Sequence, residues 1–168
     1  HGTCTFKTKG NSNEGCAWAE LREAQFNTLK VKNTAMVVTT DIGNPDDIHP
    51  RNKRDVGYRF AGLALNNLYA KKNVCNSPSY KGIEIQENKV IVSFNDVADG
   101  LMTKDKDANV LGFEIAGQEG VFYSANAFIE NDTAVISSEK VSNPEAVRFG
   151  WLGDASQNNL FNSEGLPA

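Results

Sequence analysis

The period of the hydropathy pattern changes between Asn73 and Ser79, and this change limits the folds that the chain can adopt. Beyond it, apolar residues alternate with polar ones, as at Ile83 and Ile85 on either side of Glu84. The same alternation continues at Val90, Val92, Phe94, Leu111, Phe113 and Ile115. Short alternating stretches separated by glycine and asparagine turns favour an antiparallel β-sandwich. We therefore predict two domains, over residues 1–75 and 76–168.

The part before this boundary shows the pattern of an α/β unit. Helical spacing predicts helices over Trp18–Leu29 and Arg51–Tyr69, with Trp18 in the core. Between them, Thr34–Ile42 is β-branched and largely apolar, which is typical of a strand buried on both faces of a parallel sheet. One strand and two helices are too few to complete a doubly wound sheet. We therefore expect partner strands from another chain or from another part of the protein.

The loop between the predicted strand and the second helix contains Asp46 and His49. In α/β proteins such loops lie at the carboxyl ends of strands, where ligands bind. A carboxylate three residues before a histidine can accept a hydrogen bond from Nδ1–H, which fixes the tautomer and leaves Nε2 free to take a proton. This pattern predicts a general base with its orienting acid. The alternative is a solvated acidic turn at the surface, because such turns are common.

Several stretches carry a resemblance to known hydrolases. Asp46-Asp47-Ile48-His49-Pro50 resembles the last sequence block of SGNH (GDSL-type) hydrolases, in which an Asp-x-x-His pair completes a serine triad or dyad. Four further stretches resemble the sialate O-acetylesterase family, namely Trp18 to Gln25, Thr40 to Gly43, Arg148 to Trp151 and Asn159 to Ala168. The resemblance thus covers the chain from about Gly15 to Ala168.

This resemblance implies both a fold and an activity. The implied fold is the C-terminal part of an SGNH-type, flavodoxin-like α/β/α domain, followed by an antiparallel β-sandwich. The implied activity is a carboxylic ester hydrolase that removes O-acetyl groups from sialic acids or related acetylated sugars. His49 would then be the catalytic base and Asp46 the acid that orients it, and no metal or organic cofactor is expected. Arg22 would bind the sialic acid carboxylate, although a solvated helix face is the simpler interpretation.

The serine nucleophile of this family lies upstream, in a Gly-Gln-Ser-Asn-like motif, as do the oxyanion-hole glycine and asparagine. Gly10-Asn11-Ser12-Asn13 imitates that motif, but the stretch before it is short and charged. A nucleophile in an α/β hydrolase needs an apolar strand to place its hydroxyl group. We therefore interpret Ser12 as a loop residue. The expected partner is the upstream part of the same enzyme, in the same polypeptide or as a second chain, and this chain alone is expected to be inactive.

A second class of function is a non-catalytic binding module, in which the β-sandwich binds a carbohydrate or a protein. Aromatic residues exposed on one sandwich face would favour binding. A buried set of Phe94, Phe113 and Phe128, with Asp46 bonded to His49, would favour the esterase. The net charge of −4 argues against nucleic-acid binding through phosphates. No apolar stretch approaches the length of a membrane span.

The chain has three cysteines, so one thiol remains unpaired if the other two form a disulfide. Cys4 and Cys16 would form a local bridge, and Cys75 would pair with a segment outside the chain; the alternative is three free thiols. Asn131-Asp132-Thr133 is a glycosylation sequon, which permits a secretory location. The expected location is secreted, periplasmic or lysosomal.

Overall fold

The structure, a computed structural model, describes residues 16–71, 75–105 and 109–168. Two helices come first: α1 spans Ala17–Asn27 and continues as a 3₁₀ turn over Thr28–Lys30, and α2 spans Lys53–Tyr69. Strands follow as β1 (Ser79–Gln86), β2 (Lys89–Asn95), β3 (Leu101–Thr103), β4 (Phe113–Ala116), β5 (Tyr123–Ser124), β6 (Asn126–Glu130), β7 (Thr133–Ser137), β8 (Ala146–Phe149) and β9 (Leu160–Asn162). The described chain is therefore mostly antiparallel sheet with two helices.

Three antiparallel sheets make up the part from β1 onward. The largest has the strand order β1-β2-β7-β6, the second has the order β5-β4-β8, and β3 pairs with β9. One apolar core receives side chains from all three sheets, including the fully buried Ile115 and Ile136 and the nearly buried Leu160. The alternation read from the sequence is confirmed here, because Val90 and Val92 both point into this core.

The aromatic residues of the sheets are buried to different degrees. Phe113 is buried and packs against Phe149 with ring centroids 4.7 Å apart, and Phe94 packs partly buried against the same core. Phe128 is 39% exposed, so the buried set of three phenylalanines that would favour the esterase is not formed. The reason is the strand period: its neighbours Ala127 and Ile129 contact the core, and successive side chains alternate between faces.

Residues 34–39 form neither a helix nor a strand, and no β-ladder with them is formed anywhere in the described ranges. The side chains from Met36 to Ile42 are only partly buried. The predicted strand buried on both faces is therefore wrong for the chain as described, because no neighbouring strand is present to cover it. Trp18, which was expected in the core, is 39% exposed.

Helix α2 begins two residues later than predicted, and Asn52 caps it. The Asn52 side chain accepts a hydrogen bond from the Asp55 amide at 3.2 Å and donates to the Asp55 carboxylate at 2.8 Å. Of its apolar stripe, Leu63 is 5% exposed, whereas Phe60 and Leu68 are 53% and 78% exposed. Much of this helix therefore presents apolar surface to solvent.

The helical segment meets the β-structure at the end of β8. Cys16 and Ala19 are buried and pack against Trp151. Gly150 adopts a left-handed φ of 63°, and a Cβ there would lie 2.6 Å from Asn158 Nδ2. Glycine therefore allows the chain to turn here beside α1.

The cysteines differ in oxidation state. Cys16 is disulfide-bonded, to a partner outside the described residues, whereas Cys75 is a free thiol. Three free thiols are therefore excluded. Burial, with the nearby Asp96 carboxylate, raises the pKa of the Cys75 thiol, which makes the thiolate less accessible near neutral pH.

The residue after Cys75, Asn76, is attached to the sandwich by a hydrogen bond. Its carbonyl oxygen accepts from the side-chain amide of the buried Asn162 at 3.2 Å.

Hydrogen exchange on the isolated monomer should separate the two parts of the chain. We expect fast exchange of the amides from Val37 to Thr40, which donate no backbone hydrogen bond in the described structure, and strong protection in β2 and β7. Burying one large aliphatic side chain contributes about 1.5–3 kcal/mol. The free energy that several partly buried side chains lose is therefore comparable with the free energy of unfolding of a domain, roughly 5–15 kcal/mol. Strong protection of Val37 to Thr40 in a proven monomer would refute the need for partner strands.

Candidate functional site

The loop that contains Asp46 and His49 lies on the surface, between residues 34–39 and α2. Residues 43–49 are all exposed. Two local turns organise it: the Asn44 side-chain oxygen accepts from the Asp46 amide at 3.0 Å, and the Asp47 carboxylate accepts from the His49 amide at 2.8 Å. Asparagine and aspartate favour such turns because their short side chains can bond the backbone two residues on.

The carboxylate near the imidazole of His49 belongs to Asp47. His49 Nδ1 lies 3.9 Å from Asp47 Oδ1, and the two side chains are 84% and 48% exposed. A distance of 3.9 Å is too long for a hydrogen bond. Within residues 16–71, 75–105 and 109–168, no hydrogen bond joins Asp46 to His49. The catalytic assignment of His49 and Asp46 therefore stays a prediction from the sequence.

A buried ion pair lies immediately before this loop. Arg59, in α2, donates to both carboxylate oxygens of Asp41 at 2.7 Å and to the Val38 carbonyl oxygen at 2.6 Å. The two side chains are only 8% and 10% exposed. Asp41 lies near the end of the predicted strand Thr34–Ile42. Its partner Arg59 is 18 residues away. The apolar pattern that predicts α2 does not reveal this contact, because Arg59 is a charged residue.

A small cleft of about 150 Å³ opens beside the start of the loop. Its walls come from α1, from the loop and from the segment after β8, and they include Arg22, Thr40, Asn44, Pro45, Asp154 and Ser156. The cleft therefore adjoins the Asp46–His49 loop directly. The segment after β8 therefore lies beside that loop, and the sequence did not predict this proximity.

Arg22 joins α1 to the segment after β8. Its guanidinium donates to the Gly150 carbonyl oxygen at 2.8 Å and also to the Leu152 carbonyl oxygen. Burial lowers the pKa of Arg22, and the charge of Asp154 opposes this change. Burial also disfavours the ionised Asp154, but hydrogen bonds from Ser156 and the charge of Arg22 prevail and lower its pKa. The expected solvated helix face for Arg22 is therefore wrong.

Two features are absent from the described residues. Among residues 16–71, 75–105 and 109–168, no group of three or more histidine, cysteine, aspartate or glutamate side chains is placed to hold a metal ion. Over the same ranges, no helix has both the length and the apolar character needed to cross a membrane. Ser12, the residue that imitates the family's nucleophile motif, lies outside the described residues.

Comparison with known proteins finds similarity among solved structures. No protein-family model matches the chain, and no curated protein matches it. Among solved structures, it is similar to a carbohydrate acetylesterase from Xanthomonas citri, with 38% sequence identity and a TM-score of 0.87. The match covers 94% of this chain and 36% of that chain, so this chain spans little more than a third of the structure that it matches. Because the match spans nearly the whole chain, it includes the helical segment as well as the β-sheets.

Proposed function

We propose that this chain is part of a carbohydrate ester hydrolase and supplies the histidine and aspartate of a Ser-His-Asp triad. The observation that carries the proposal is the 38% identity to a carbohydrate acetylesterase over 94% of the chain. The exposed loop with the Asp-x-x-His spacing supports it, because a surface histidine next to carboxylates is available to a partner segment.

In this mechanism His49 Nε2 takes the proton of a serine hydroxyl as that oxygen attacks the acetyl carbonyl. His49 then gives the proton to the sugar oxygen, and the C–O bond of the ester breaks to leave an acetyl-serine. In the second half the same nitrogen takes a proton from water as the water oxygen attacks the acetyl-serine, and it then returns this proton to the serine oxygen as acetate leaves. Asp46 holds the Nδ1–H side of the ring, so that the imidazolium formed in each half is stabilised.

The nucleophile and the oxyanion-hole donors are expected in an upstream part of the enzyme that packs against α1, residues 34–42 and α2. The exposed side chains of Phe60 and Leu68 and the lack of strand pairing at residues 34–42 support this arrangement. We propose that the assembled α/β part is of the flavodoxin-like SGNH type. The proposed substrate is an O-acetylated sialic acid or a related acetylated sugar. The proposed location is secreted, periplasmic or lysosomal.

A binding module without catalytic activity is less well supported by the arrangement of aromatic residues. Tyr80 and Phe128 are 58% and 39% exposed. They lie on β1 and β6, which are opposite edges of the four-stranded sheet, so they do not form one stacking platform.

Release of acetate tests the proposal. The complete enzyme should release acetate from an O-acetylated sialic acid or from another acetylated sugar. A complete enzyme that releases acetate from none of these would exclude the proposed function. Hydrolysis of only the non-sialic sugars would keep the esterase and exclude the sialic acid specificity.

This chain alone should hydrolyse p-nitrophenyl acetate no faster than its His49→Ala variant. The reason is that a base without a nucleophile and oxyanion hole forms no acyl-enzyme. The measurement is the initial rate of p-nitrophenolate release at equal protein concentration. Substantial activity that disappears in a Ser12→Ala variant would contradict the expectation and make Ser12 the nucleophile.

A further inference from the structure

We propose that Asp41 and Arg59 are positioning residues, which fix the direction of the Asp46–His49 loop relative to α2. This inference rests on the esterase function proposed above, because it assigns the pair a role in that site. Asp41 immediately precedes the loop, and Arg59 lies in the second turn of the helix that follows it. The pair thus joins the two ends of the segment that holds the candidate base.

The geometry of the pair restricts orientation as well as distance. The Arg59 guanidinium meets both oxygens of Asp41 at 2.7 Å, and its Nη1 also bonds the Val38 carbonyl oxygen at 2.6 Å. A bidentate arginine–carboxylate contact is planar, so it fixes the angle between the two groups. Both side chains are nearly buried, which limits competition from water and screening by salt.

The hydrogen bonds that the described residues form within the loop are local and cannot fix this direction. The Ile42 and Gly43 amides both donate to the Thr39 carbonyl oxygen, at 3.2 and 3.0 Å. The side-chain turns at Asn44 and Asp47 reach only two residues along the chain. These bonds determine the shape of the loop, whereas its attachment to α2 depends on the ion pair and on the Asn52 cap.

Stability alone is a weak reason for this pair. A buried ion pair often contributes no more to stability than apolar side chains of the same size, because both charges lose their hydration. Fixed geometry is what a bidentate pair adds. A displacement of about 1 Å can cost about 100-fold in rate when a catalytic group must meet its partner in a defined position. The pair therefore matters for kcat of the proposed esterase.

Amide exchange rates of Ile42 and Gly43 in the complete enzyme, measured by NMR, test the inference independently of activity. We expect rates about tenfold faster in Asp41→Asn, which removes the charge, and in Arg59→Lys, which keeps the charge but not the planar fork. Glu114→Gln is the matched control, because Glu114 forms a similar ion pair with Arg148 at 2.8 Å in the sandwich, with both side chains 15% exposed. That control should leave both rates unchanged.

Unchanged rates at Ile42 and Gly43 in both variants, with β2 and β7 still protected, would overturn the inference. Loss of helix α2 in both variants would overturn it as well, since the pair would then be needed for folding rather than for orientation. Faster exchange confined to residues 42–49 supports it.

Kinetics of the complete enzyme give the second measurement. Asp41→Asn should lower kcat by about 10-fold to 100-fold and change KM little, because the loop is displaced and not the sugar site. A rise in KM at constant kcat would contradict a positioning role. If the enzyme releases no acetate at all, the proposed function fails, whereas the exchange experiment still decides whether the pair orients the loop.

Discussion

Replacing His49 by alanine is expected to lower kcat of the complete esterase by about 10⁴-fold or more. The side chain is 84% exposed in the described structure, so the loss cannot come from a damaged core. It comes from the missing base, because no other group would take the serine proton in the first half or activate water in the second. The measurement is acetate release under saturating substrate, with KM determined in parallel.

Lys53→Ala serves as the control for this substitution. Lys53 is the first residue of α2 and is exposed, so its replacement changes a charge close to the loop without touching Asp46 or His49. This variant should keep kcat close to that of the unmodified enzyme. A loss below tenfold in His49→Ala would show that another residue is the base, and the proposed triad would then be wrong in its central member.

The strands of the sandwich could be predicted from the sequence because each carries its own signal. Val90 and Val92 alternate with solvent-facing residues, and the turn at Glu87 and Asn88 separates β1 from β2 as expected. The alternation lies within each strand, so local patterns were enough to find the strands, whereas the pairing of β2 with the distant β7 had no local signal. The short strands β3 and β9 were missed, because three residues contain too little alternation to be recognised.

The segment Thr34–Ile42 illustrates the opposite case. Its composition predicts a buried strand, but in the described structure it forms no strand and is partly exposed. A strand is stabilised by its neighbours, and no sequence pattern within the segment reveals whether they are present. The esterase resemblance is supported by the similarity to a carbohydrate acetylesterase. The similarity does not extend to an assignment of the catalytic residues.

Charged side chains around the site were the hardest to predict. Arg22 and Arg59 lie on helix faces and look like ordinary solvated residues in the sequence. In the structure they bond backbone carbonyl groups far along the chain, at Gly150 and at Val38. These carbonyl acceptors are main-chain atoms, which carry no residue-specific signal, and the carboxylate that Arg59 also binds, Asp41, lies 18 residues away. Only the fold brings these donors and acceptors together.

The acid that orients His49 is predicted to be Asp46, and Asp46→Asn should lower kcat of the complete esterase by about 10⁴-fold. Asp47 has a different role in the structure, because its carboxylate accepts a hydrogen bond from the backbone amide of His49 at 2.8 Å. Asparagine has a side-chain oxygen that can accept the same bond, so Asp47→Asn preserves this turn and should change kcat little. Asp46 has no such backbone role for its carboxylate among the described hydrogen bonds, and the spacing of the hydrolase block places the acid three residues before the histidine.

The two asparagine variants are therefore a matched pair, which differ by one position and remove one negative charge each. Both should be measured over a range of pH at saturating substrate, so that a loss of the orienting acid is separated from a change in the local field. A larger loss in Asp47→Asn would assign the acid to Asp47, the carboxylate that lies 3.9 Å from His49 Nδ1 in the described structure. Small losses in both variants would mean that His49 works in a dyad with the serine, oriented by a group other than these two carboxylates.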